Sequence, residues 1–254
     1  MIVFKSFHDW KKFKTKHLNA KTIGLVPTMG NLHRGHLSLC AASKLQNDVT
    51  VVTIFVNPKQ FNESADFTRY PRTLPQDIAL LEQHEVDYCI TPSEEEIYAD
   101  NYTYQVSEKN LSLMLEGEFR PGHFTGVLTV VLKILLAVGA QRAYFGEKDY
   151  QQYLLIRGMV ESLWLDCEII VCPIVRESSG LPFSSRNSLL SADQRKLADS
   201  VATIFNNKDV SLDEIRQQLM ALDITIDYLL EIFNRRIMAV RVGNVRLLDN
   251  YAHF

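Results

Sequence analysis

An α/β fold is predicted for this chain of 254 residues. From residue 22 to residue 175, apolar runs with few polar interruptions alternate with segments of helical apolar spacing. Such runs are typical of parallel strands that helices cover on both faces. After residue 186 the composition changes, and two helix-start signals are followed by an antiparallel hairpin pattern. These observations predict a Rossmann-like parallel sheet with helices on both faces, followed by a small C-terminal α+β domain.

The elements of the larger domain are predicted to alternate in chain order. Strands are expected over residues 22–26, 49–56, 88–90, 142–145 and 168–175. Helices are expected over residues 37–45, 75–84, 124–138 and 150–163. Strands separated by helices favour right-handed crossovers, which bring the carboxyl ends of the strands to one edge of the sheet. Ligands are therefore expected at that edge.

A domain boundary is predicted between residues 174 and 175, giving domains 1–174 and 175–254. In the second domain, Ser191 is placed to cap a helix over residues 192–204. Ser211-Leu212-Asp213-Glu214 has the capping-box pattern of a second helix start. Residues 237–242 and 245–248 flank Gly243-Asn244, which is typical of a hairpin.

The composition is that of an ordinary globular protein, with 46% hydrophobic and 22% charged residues. A net charge of −3 gives no support for a nucleic-acid partner. The four cysteines are scattered among apolar neighbours, which favours free thiols in a reducing compartment. The N-terminus lacks a signal-peptide pattern, and the most apolar run is interrupted by Lys133 and too short to span a bilayer. A cytoplasmic protein without a membrane or nucleic-acid partner is predicted.

The most informative segment lies between the first long predicted strand and the following helix. A glycine-containing turn at a helix start places backbone N–H groups and the positive end of the helix dipole where a phosphate can bind. His33 and His36 lie on the same side of the first helical turn. A capped turn whose histidines only complete hydrogen bonds is the alternative. The segment reads Val26-Pro27-Thr28-Met29-Gly30-Asn31-Leu32-His33-Arg34-Gly35-His36-Leu37.

Four polar segments follow predicted strands: residues 29–36, 57–61, 146–149 and 176–186. Chance can place one such loop at a strand end, but it is a poor explanation for four. Because the carboxyl ends of parallel strands share an edge, this placement favours an enzyme.

Besides the histidine segment, six further segments of the chain are informative in their order. They are Asn57-Pro58-Lys59-Gln60-Phe61, Arg69-Tyr70-Pro71-Arg72-Thr73, Arg120-Pro121-Gly122-His123-Phe124-Thr125-Gly126-Val127, Phe145-Gly146-Glu147-Lys148-Asp149-Tyr150-Gln151-Gln152, Val175-Arg176-Glu177 and Ser184-Ser185-Arg186-Asn187. With these segments the chain resembles the pantothenate synthetases, which are AMP-forming pantoate–β-alanine ligases of the HxGH nucleotidyltransferase-like superfamily. The resemblance covers residues 21–195 and resumes from residue 239 to residue 250.

The resemblance implies ATP-dependent condensation of pantoate with β-alanine to give pantothenate, a precursor of coenzyme A. A pantoyl-adenylate is the implied intermediate, with release of pyrophosphate and AMP. ATP is then a substrate, Mg²⁺ is the implied cofactor, and a homodimer is the implied assembly. The C-terminal domain is expected to close over ATP.

The resemblance also implies roles for single residues. His36 is expected to be catalytic, with His33 as a second phosphate donor and Lys148 as a flexible cation. Gln60 and Gln152 are expected at the pantoate and β-alanine site. Asp77 is the candidate magnesium ligand. Residues expected at ATP are Met29, Gly30, Asn31, Leu32, His33, Arg34, Gly35, His36, Gly146, Glu147, Lys148, Asp149, Val175, Phe183, Ser184, Ser185 and Arg186.

The chain departs from the family pattern at four places. Pro182-Phe183 stands where Ala-Met is usual, and Ser178-Ser179 stands where Ala-Asp is usual before Gly180. Gln76 stands where an acid is frequent, and the region after Gln194 is shorter than usual. These departures bear on the mobility of the loop, the metal ligand and domain closure. Two rival functions are considered: a nucleotidylyltransferase that transfers AMP to a phosphate acceptor and stops, and a nucleotide-binding regulator without catalysis. The presence of His36, Lys148 and Ser184–Arg186 argues against the regulator, because binding alone would tolerate the loss of His36.

Overall fold

The computed structural model describes residues 1–62 and 64–252 and divides into two compact units. The N-terminal unit comprises Met1–Glu147 and Gln151–Cys172. The C-terminal unit comprises Lys148–Tyr150 and the chain from Pro173 onward. Within the described ranges, no helix combines the length and the hydrophobicity that a membrane crossing requires.

The N-terminal unit contains a six-stranded parallel sheet with the order β1-β4-β3-β2-β5-β6. Chain order reverses between β2 and β5, and ligands of such sheets bind beyond the carboxyl ends of the strands at this reversal. The histidine segment follows β2 directly, so it lies at the reversal. The strands are β1 (Ile2–Phe4), β2 (Ile23–Thr28), β3 (Val49–Ile54), β4 (Tyr88–Ile90), β5 (Arg142–Gly146) and β6 (Glu168–Cys172).

Helices cover both faces of this sheet. On β2, Leu25 belongs to the core that contains Trp10 and Leu128, whereas its neighbour Val26 belongs to the core that contains Leu39. Alternate residues of one strand thus enter opposite cores, which confirms the predicted fold class. The helices are α1 (Phe7–His17), α2 (Arg34–Gln46), α3 (Ser64–Arg69), α4 (Leu74–Gln83), α5 (Glu94–Ile97), α6 (Glu116–Phe119), α7 (His123–Val138) and α8 (Tyr150–Ser162).

The C-terminal unit packs two helices, α9 (Ala192–Phe205) and α10 (Leu212–Met220), with a three-stranded antiparallel sheet. Its strands are β7 (Thr225–Ile232), β8 (Arg235–Val242) and β9 (Val245–Ala252). Ser191 and Ser211 each accept the N–H of the third helical residue, and the side chain of that residue bonds back to the serine N–H. Both predicted helix starts are therefore confirmed.

The structure differs from the predicted elements mainly at their ends. The predicted strand over residues 168–175 ends at Cys172, and the helix predicted from residue 37 begins at Arg34 because His33 caps it. A third strand, β7, pairs with the predicted hairpin. It was not predicted because several polar residues interrupt its apolar pattern. β1, α1, α3, α5 and α6 were not predicted. Four of these five are short, and α1 is rich in lysine.

The four cysteines are free thiols. Cys40, Cys89 and Cys172 are buried, and Cys167 is half-buried. Burial raises the pKa of Cys40 and of Cys89 to about 12, so neither is a thiolate at neutral pH. These thiols are part of the packing, as the sequence predicted.

Candidate active site

The turn after β2 carries the two histidines predicted to meet phosphate. His33 is the N-cap of α2, and its Nδ1 accepts the N–H of Gly35 at 3.2 Å. The Nδ1 of His36 in turn accepts the N–H of His33 at 3.4 Å. The two rings stack with centroids 4.0 Å apart and 28° between their planes. The pair is a reciprocal cap in which backbone donors orient both imidazoles.

This cap determines the donor that each imidazole can offer. A ring nitrogen that accepts an N–H bond carries no proton, so the neutral ring carries its proton on Nε2. His33 and His36 are thus both Nε2–H tautomers. The capped turn that the sequence analysis gave as an alternative is present in the structure, since both histidines make capping hydrogen bonds. It is also compatible with phosphate recognition, because the cap uses only Nδ1.

Most backbone donors of this turn are used within the fold. Five of them reach a side-chain oxygen or an imidazole nitrogen at 2.7–3.4 Å. The prediction that the helix start offers unpaired N–H groups is wrong for these five, because side chains already supply the acceptors. These five N–H groups are therefore already used in holding the turn. The five donors are the N–H groups of Gly30, Asn31, Leu32, His33 and Gly35.

Asp77, in the first turn of α4, anchors the same loop. Its carboxylate accepts the N–H groups of Asn31 at 3.0 Å and Leu32 at 2.7 Å, and the hydroxyl of Thr73 at 3.1 Å. Only 2% of Asp77 is exposed. Gly30 and Asn31 have left-handed φ values of 79° and 48°, and a Cβ on Gly30 would lie 3.0 Å from Asp77 Oδ2. The predicted magnesium role is at odds with these contacts, because both carboxylate oxygens already bind the loop.

Asp77→Asn is expected to lower the free energy of unfolding by about 2 kcal/mol, the scale of a hydrogen bond to a charged group. An amide can satisfy only one of the two backbone donors with its oxygen, and its NH₂ group then faces the other. The loosened turn is also expected to raise the KM for ATP. Urea unfolding of the ligand-free protein and initial rates at several Mg²⁺ concentrations would measure both effects.

Glu82→Gln is the matched control, since it makes the same change at an exposed position of α4. It should leave stability and KM unchanged. A metal ligand would behave differently from an anchor. If the Asp77→Asn defect disappeared at high Mg²⁺ while unfolding stayed normal, the anchoring role would be refuted.

A second turn, the 3₁₀ segment Pro58–Gln60 after β3, holds Gln60. Asn57 is 1% exposed and donates from Nδ2 to Gln60 Oε1 at 3.0 Å, while its Oδ1 accepts the Tyr98 hydroxyl at 2.6 Å. The Nε2 of Gln60 donates to the Sδ of Met29 at 3.0 Å. A thioether is a weak acceptor, so a ligand oxygen would readily replace it. Two predicted site segments thus meet within the N-terminal unit.

The start of α7 supports this turn. The carbonyl of Gln60 can only accept, so the Nδ1 of His123 donates to it at 2.8 Å. The Nε2 of His123 then accepts from the guanidinium of Arg120 at 3.1 Å. A Cβ on Gly126 would lie 2.2 Å from the carbonyl oxygen of Lys59, so only glycine permits this close approach. The sequence analysis identified Arg120 and His123 only as members of a family segment, without a role, and it missed Tyr98.

Two neighbouring glutamines of α8 have different surroundings. Gln151 is 5% exposed, accepts the Glu116 N–H at 3.1 Å and donates to the carbonyls of Leu111 and Met114, both at 2.7 Å. Its hydrogen bonds are therefore structural. Gln152 is half-buried, and within the described parts of the chain its side chain makes no hydrogen bond. Gln152 is the one of the two that retains its capacity to bind a polar ligand.

The predicted block around Lys148 is divided between the units. Gly146 ends β5, and Glu147 follows it in the N-terminal unit. Lys148 and Asp149 belong to the C-terminal unit, where the Nζ of Lys148 lies 3.1 Å from Asp149 Oδ1. The side chain of Lys148 is 19% exposed. That is far less than expected for the solvated surface lysine that a Glu-Lys-Asp run usually indicates.

The serine segment folds into one loop of the C-terminal unit. Ser184 caps the 3₁₀ turn Ser185–Leu189, and its Oγ accepts the N–H of Arg186 at 3.3 Å. The N–H of Phe183 donates to the carbonyl of Val175 at 3.0 Å, so the chain doubles back. The predicted ATP residues between 175 and 186 are thereby brought together.

The base of this loop is held by polar contacts. Arg176 and Pro182 form an antiparallel bridge, and the Nδ2 of Asn187 donates to the carbonyl of Pro182 at 3.0 Å. Glu177 accepts from the same Asn187 side chain at 3.0 Å and pairs with Arg195. Pro182, which departs from the family pattern, is thus fitted into a defined hairpin.

Comparisons with known proteins point to one family. The sequence model of the family described as pantoate-beta-alanine ligase matches residues 2–252. Pantothenate synthetase of Legionella pneumophila (strain Lens) is 50% identical over 252 residues, covering 99% of each chain. The structure of pantoate-beta-alanine ligase from Francisella tularensis, described as complexed with beta-gamma ATP and beta-alanine, has a TM-score of 0.95 at 39% identity. The match covers 99% of this chain and 97% of the Francisella chain. Pantothenate synthetase from Thermus thermophilus has a TM-score of 0.91 at 38% identity, covering 99% of each chain.

The comparisons correct one expectation from the sequence. The region after Gln194 was interpreted as unusually short, with incomplete domain closure as its consequence. The Legionella pneumophila and Thermus thermophilus proteins match this chain over 99% of both lengths. The short region is therefore shared with these relatives and does not set this chain apart.

Proposed function

The chain belongs to the pantoate–β-alanine ligase family, and on this premise we propose that it condenses pantoate with β-alanine at the expense of ATP. The reaction has to proceed through activation, because a carboxylate has no usable leaving group for amide formation. A carboxylate oxygen of pantoate attacks the α-phosphorus, and pyrophosphate leaves. The β-alanine amine then attacks the acyl carbon, AMP leaves with the bonding electrons, and the new amide nitrogen loses a proton.

One observation carries this proposal: the stacked histidine pair at the end of β2. Its fixed Nε2–H tautomers provide two donors suited to phosphate oxygens without a change of protonation. His36 and His33 are assigned to the α-phosphate charge that builds up during attack. Lys148 is assigned to the departing pyrophosphate, because a flexible ammonium can follow the moving charge.

Substrate binding is assigned to the glutamines. Gln60 is held by Asn57, and its Nε2 donates to the thioether of Met29, a weak acceptor. Gln152 is half-buried, and its amide makes no hydrogen bond to another described residue. Each amide offers a donor and an acceptor, which suits the hydroxyl and carboxylate groups of pantoate and β-alanine.

Further contacts to ATP are proposed from the C-terminal unit. The Ser184 cap and the adjoining turn place hydroxyl, N–H and guanidinium donors in one loop, which suits polyphosphate. Phe183 offers an apolar surface for adenine. Ser185, Arg186, Val175 and Asp149 complete this proposed set.

Magnesium is proposed to enter with the nucleotide. Mg²⁺ keeps several waters and is usually held by substrate phosphates with one or two carboxylates. The described residues contain no group of three His, Cys, Asp or Glu side chains placed to hold a metal. Since Asp77 is committed to the histidine turn, the residues fit a metal carried by the triphosphate. We also propose that the protein is a homodimer. We propose that it acts in the cytoplasm, because its four cysteines are free thiols, as is typical of a reducing compartment.

Acceptor dependence separates this function from adenylyl transfer to a phosphate acceptor. Exchange of labelled pyrophosphate into ATP is expected to require pantoate, and AMP release is expected to require both pantoate and β-alanine. The measurement is a coupled assay in which pantoate, β-alanine, ATP and Mg²⁺ are omitted in turn. AMP transfer to a phosphate compound without pantoate would instead establish the nucleotidylyltransferase.

A further inference from the structure

The segment that carries Lys148 is held by the last strands of the chain. The Nδ2 of Asn250, in β9, donates to the main-chain carbonyl of Lys148 at 2.9 Å. The guanidinium of Arg235, in β8, lies 4.4 Å from the ring centre of Tyr150. Asn250 is 1% exposed and Arg235 8% exposed. Lys148 thus follows β5 in the sequence but is secured by residues about a hundred positions later.

The two holding residues also fix each other. The Nε of Arg235 donates to the Oδ1 of Asn250 at 2.7 Å. A guanidinium can only donate and a main-chain carbonyl can only accept, so the Asn250 amide has a single orientation that satisfies both partners. The position of the guanidinium over the Tyr150 ring restrains it in turn. We call these four residues, Lys148, Tyr150, Arg235 and Asn250, the clamp. The contacts among them leave the main chain at Lys148 little freedom to move.

The residue before Asn250 holds the second predicted ATP segment. Arg176 makes a bidentate pair with Asp249, with N–O distances of 2.6 and 2.8 Å, and also donates to the carbonyl of Asn250 at 3.1 Å. Arg176 further donates to the carbonyl of Gly180 at 2.9 Å, at the start of the serine loop. Burial raises the pKa of the Asp249 carboxyl, and the Arg176 guanidinium works against that rise. Adjacent residues of β9 thus secure both segments.

We propose that Asn250, supported by Arg235, is a positioning residue for Lys148. This inference rests on the proposed role of Lys148 in the reaction. Lys148 has to reach the departing phosphate with a side chain that has many rotamers, so its main chain must be fixed. A misplacement of about 1 Å in such a group can reduce the rate by up to about a hundredfold. Removing the clamp should therefore lower kcat more than it raises KM.

A double-mutant cycle tests this inference. Asn250→Ala is expected to reduce the single-turnover rate of adenylate formation about tenfold, with less than a twofold change in the KM for ATP. In a Lys148→Ala background, the same substitution should cost less than twofold, because the group it positions is gone. Arg235→Lys keeps the charge but loses the planar fork, and it should give a smaller loss that also vanishes in the Lys148→Ala background.

Leu247→Ala is the matched control. Leu247 precedes Asn250 on β9 and is buried in the core of the C-terminal unit. This substitution should destabilise the unit without changing the rate of the folded protein. If Asn250→Ala were to disturb folding, the double-mutant cycle with Lys148→Ala would be measured with Arg235→Lys in its place.

Three results would overturn the inference, and they are distinguishable. If the Asn250 and Lys148 effects were additive, Asn250 would act independently of Lys148, and the proposed role of Lys148 would stand. If Lys148→Ala itself left the rate unchanged, the assignment of Lys148 under the proposed function would fail as well. Loss of Asn250 that reduced stability only, as Leu247→Ala should, would also overturn the positioning role.

Discussion

Replacing His36 with alanine is expected to slow pantoyl-adenylate formation by about 10²–10³-fold, the usual loss when one donor to a developing oxyanion is removed. The substitution also removes the acceptor for the His33 N–H and should lower the free energy of unfolding by about 1 kcal/mol, as loss of a helix cap does. His36→Ala therefore mixes a catalytic effect with a structural one.

His36→Gln separates these two effects. Glutamine at the third helical position can bond back to the N-cap N–H, so the reciprocal cap survives, but the imidazole Nε2–H is lost. We expect this variant to unfold with the wild-type free energy and to form the adenylate as slowly as His36→Ala does. Rapid-quench measurement of adenylate formation with labelled ATP, and urea unfolding, would provide the comparison. A His36→Gln protein that formed the adenylate at the wild-type rate would restrict His36 to capping.

The sequence predicted the central sheet because its strands are long apolar runs. The segments that form β2 and β3 contain no charged residue, and the prediction placed the ends of both strands to within two positions. β1 was missed because it lies at the edge of the sheet and none of its three residues is buried, whereas the equally short β4 has two buried apolar residues. β7 was missed because Thr225, Asp227 and Glu231 interrupt its apolar residues, although pairing with β8 stabilises it.

The site was predictable where function depends on local sequence. The histidine turn lies directly after β2, and its capped geometry follows from residues three positions apart. What remained hidden depends on contacts distant in sequence. Asp77 reaches the turn across 46 positions, His123 reaches Gln60 across 63, and Asn250 reaches Lys148 across 102. No local pattern distinguishes Asp77 as a loop anchor from Asp77 as a metal ligand.

Gly126→Ala is expected to destabilise the protein by about 3 kcal/mol, at the upper end of the usual cost of overpacking. The added methyl group would lie 2.2 Å from the carbonyl oxygen of Lys59 and 2.8 Å from the main-chain nitrogen of Gln60. Both atoms belong to backbone, so the strain cannot be relieved by rotating a side chain. α7 and the Pro58–Gln60 turn must separate, which weakens the His123 bond to the Gln60 carbonyl. Gln60 would then be misplaced, and the KM for pantoate is expected to rise about tenfold.

Gly158→Ala supplies the matched control for this prediction. Gly158 lies within α8, and a Cβ there would meet no atom within 4 Å. Alanine is the better helix former, so Gly158→Ala should stabilise the protein by about 0.5–1 kcal/mol and leave the KM for pantoate unchanged. The same propensity gain is present in Gly126→Ala, so the difference between the two variants isolates the clash. Equal unfolding free energies would mean that α7 does not need this close approach, and the support assigned to Gln60 from α7 would have to be abandoned.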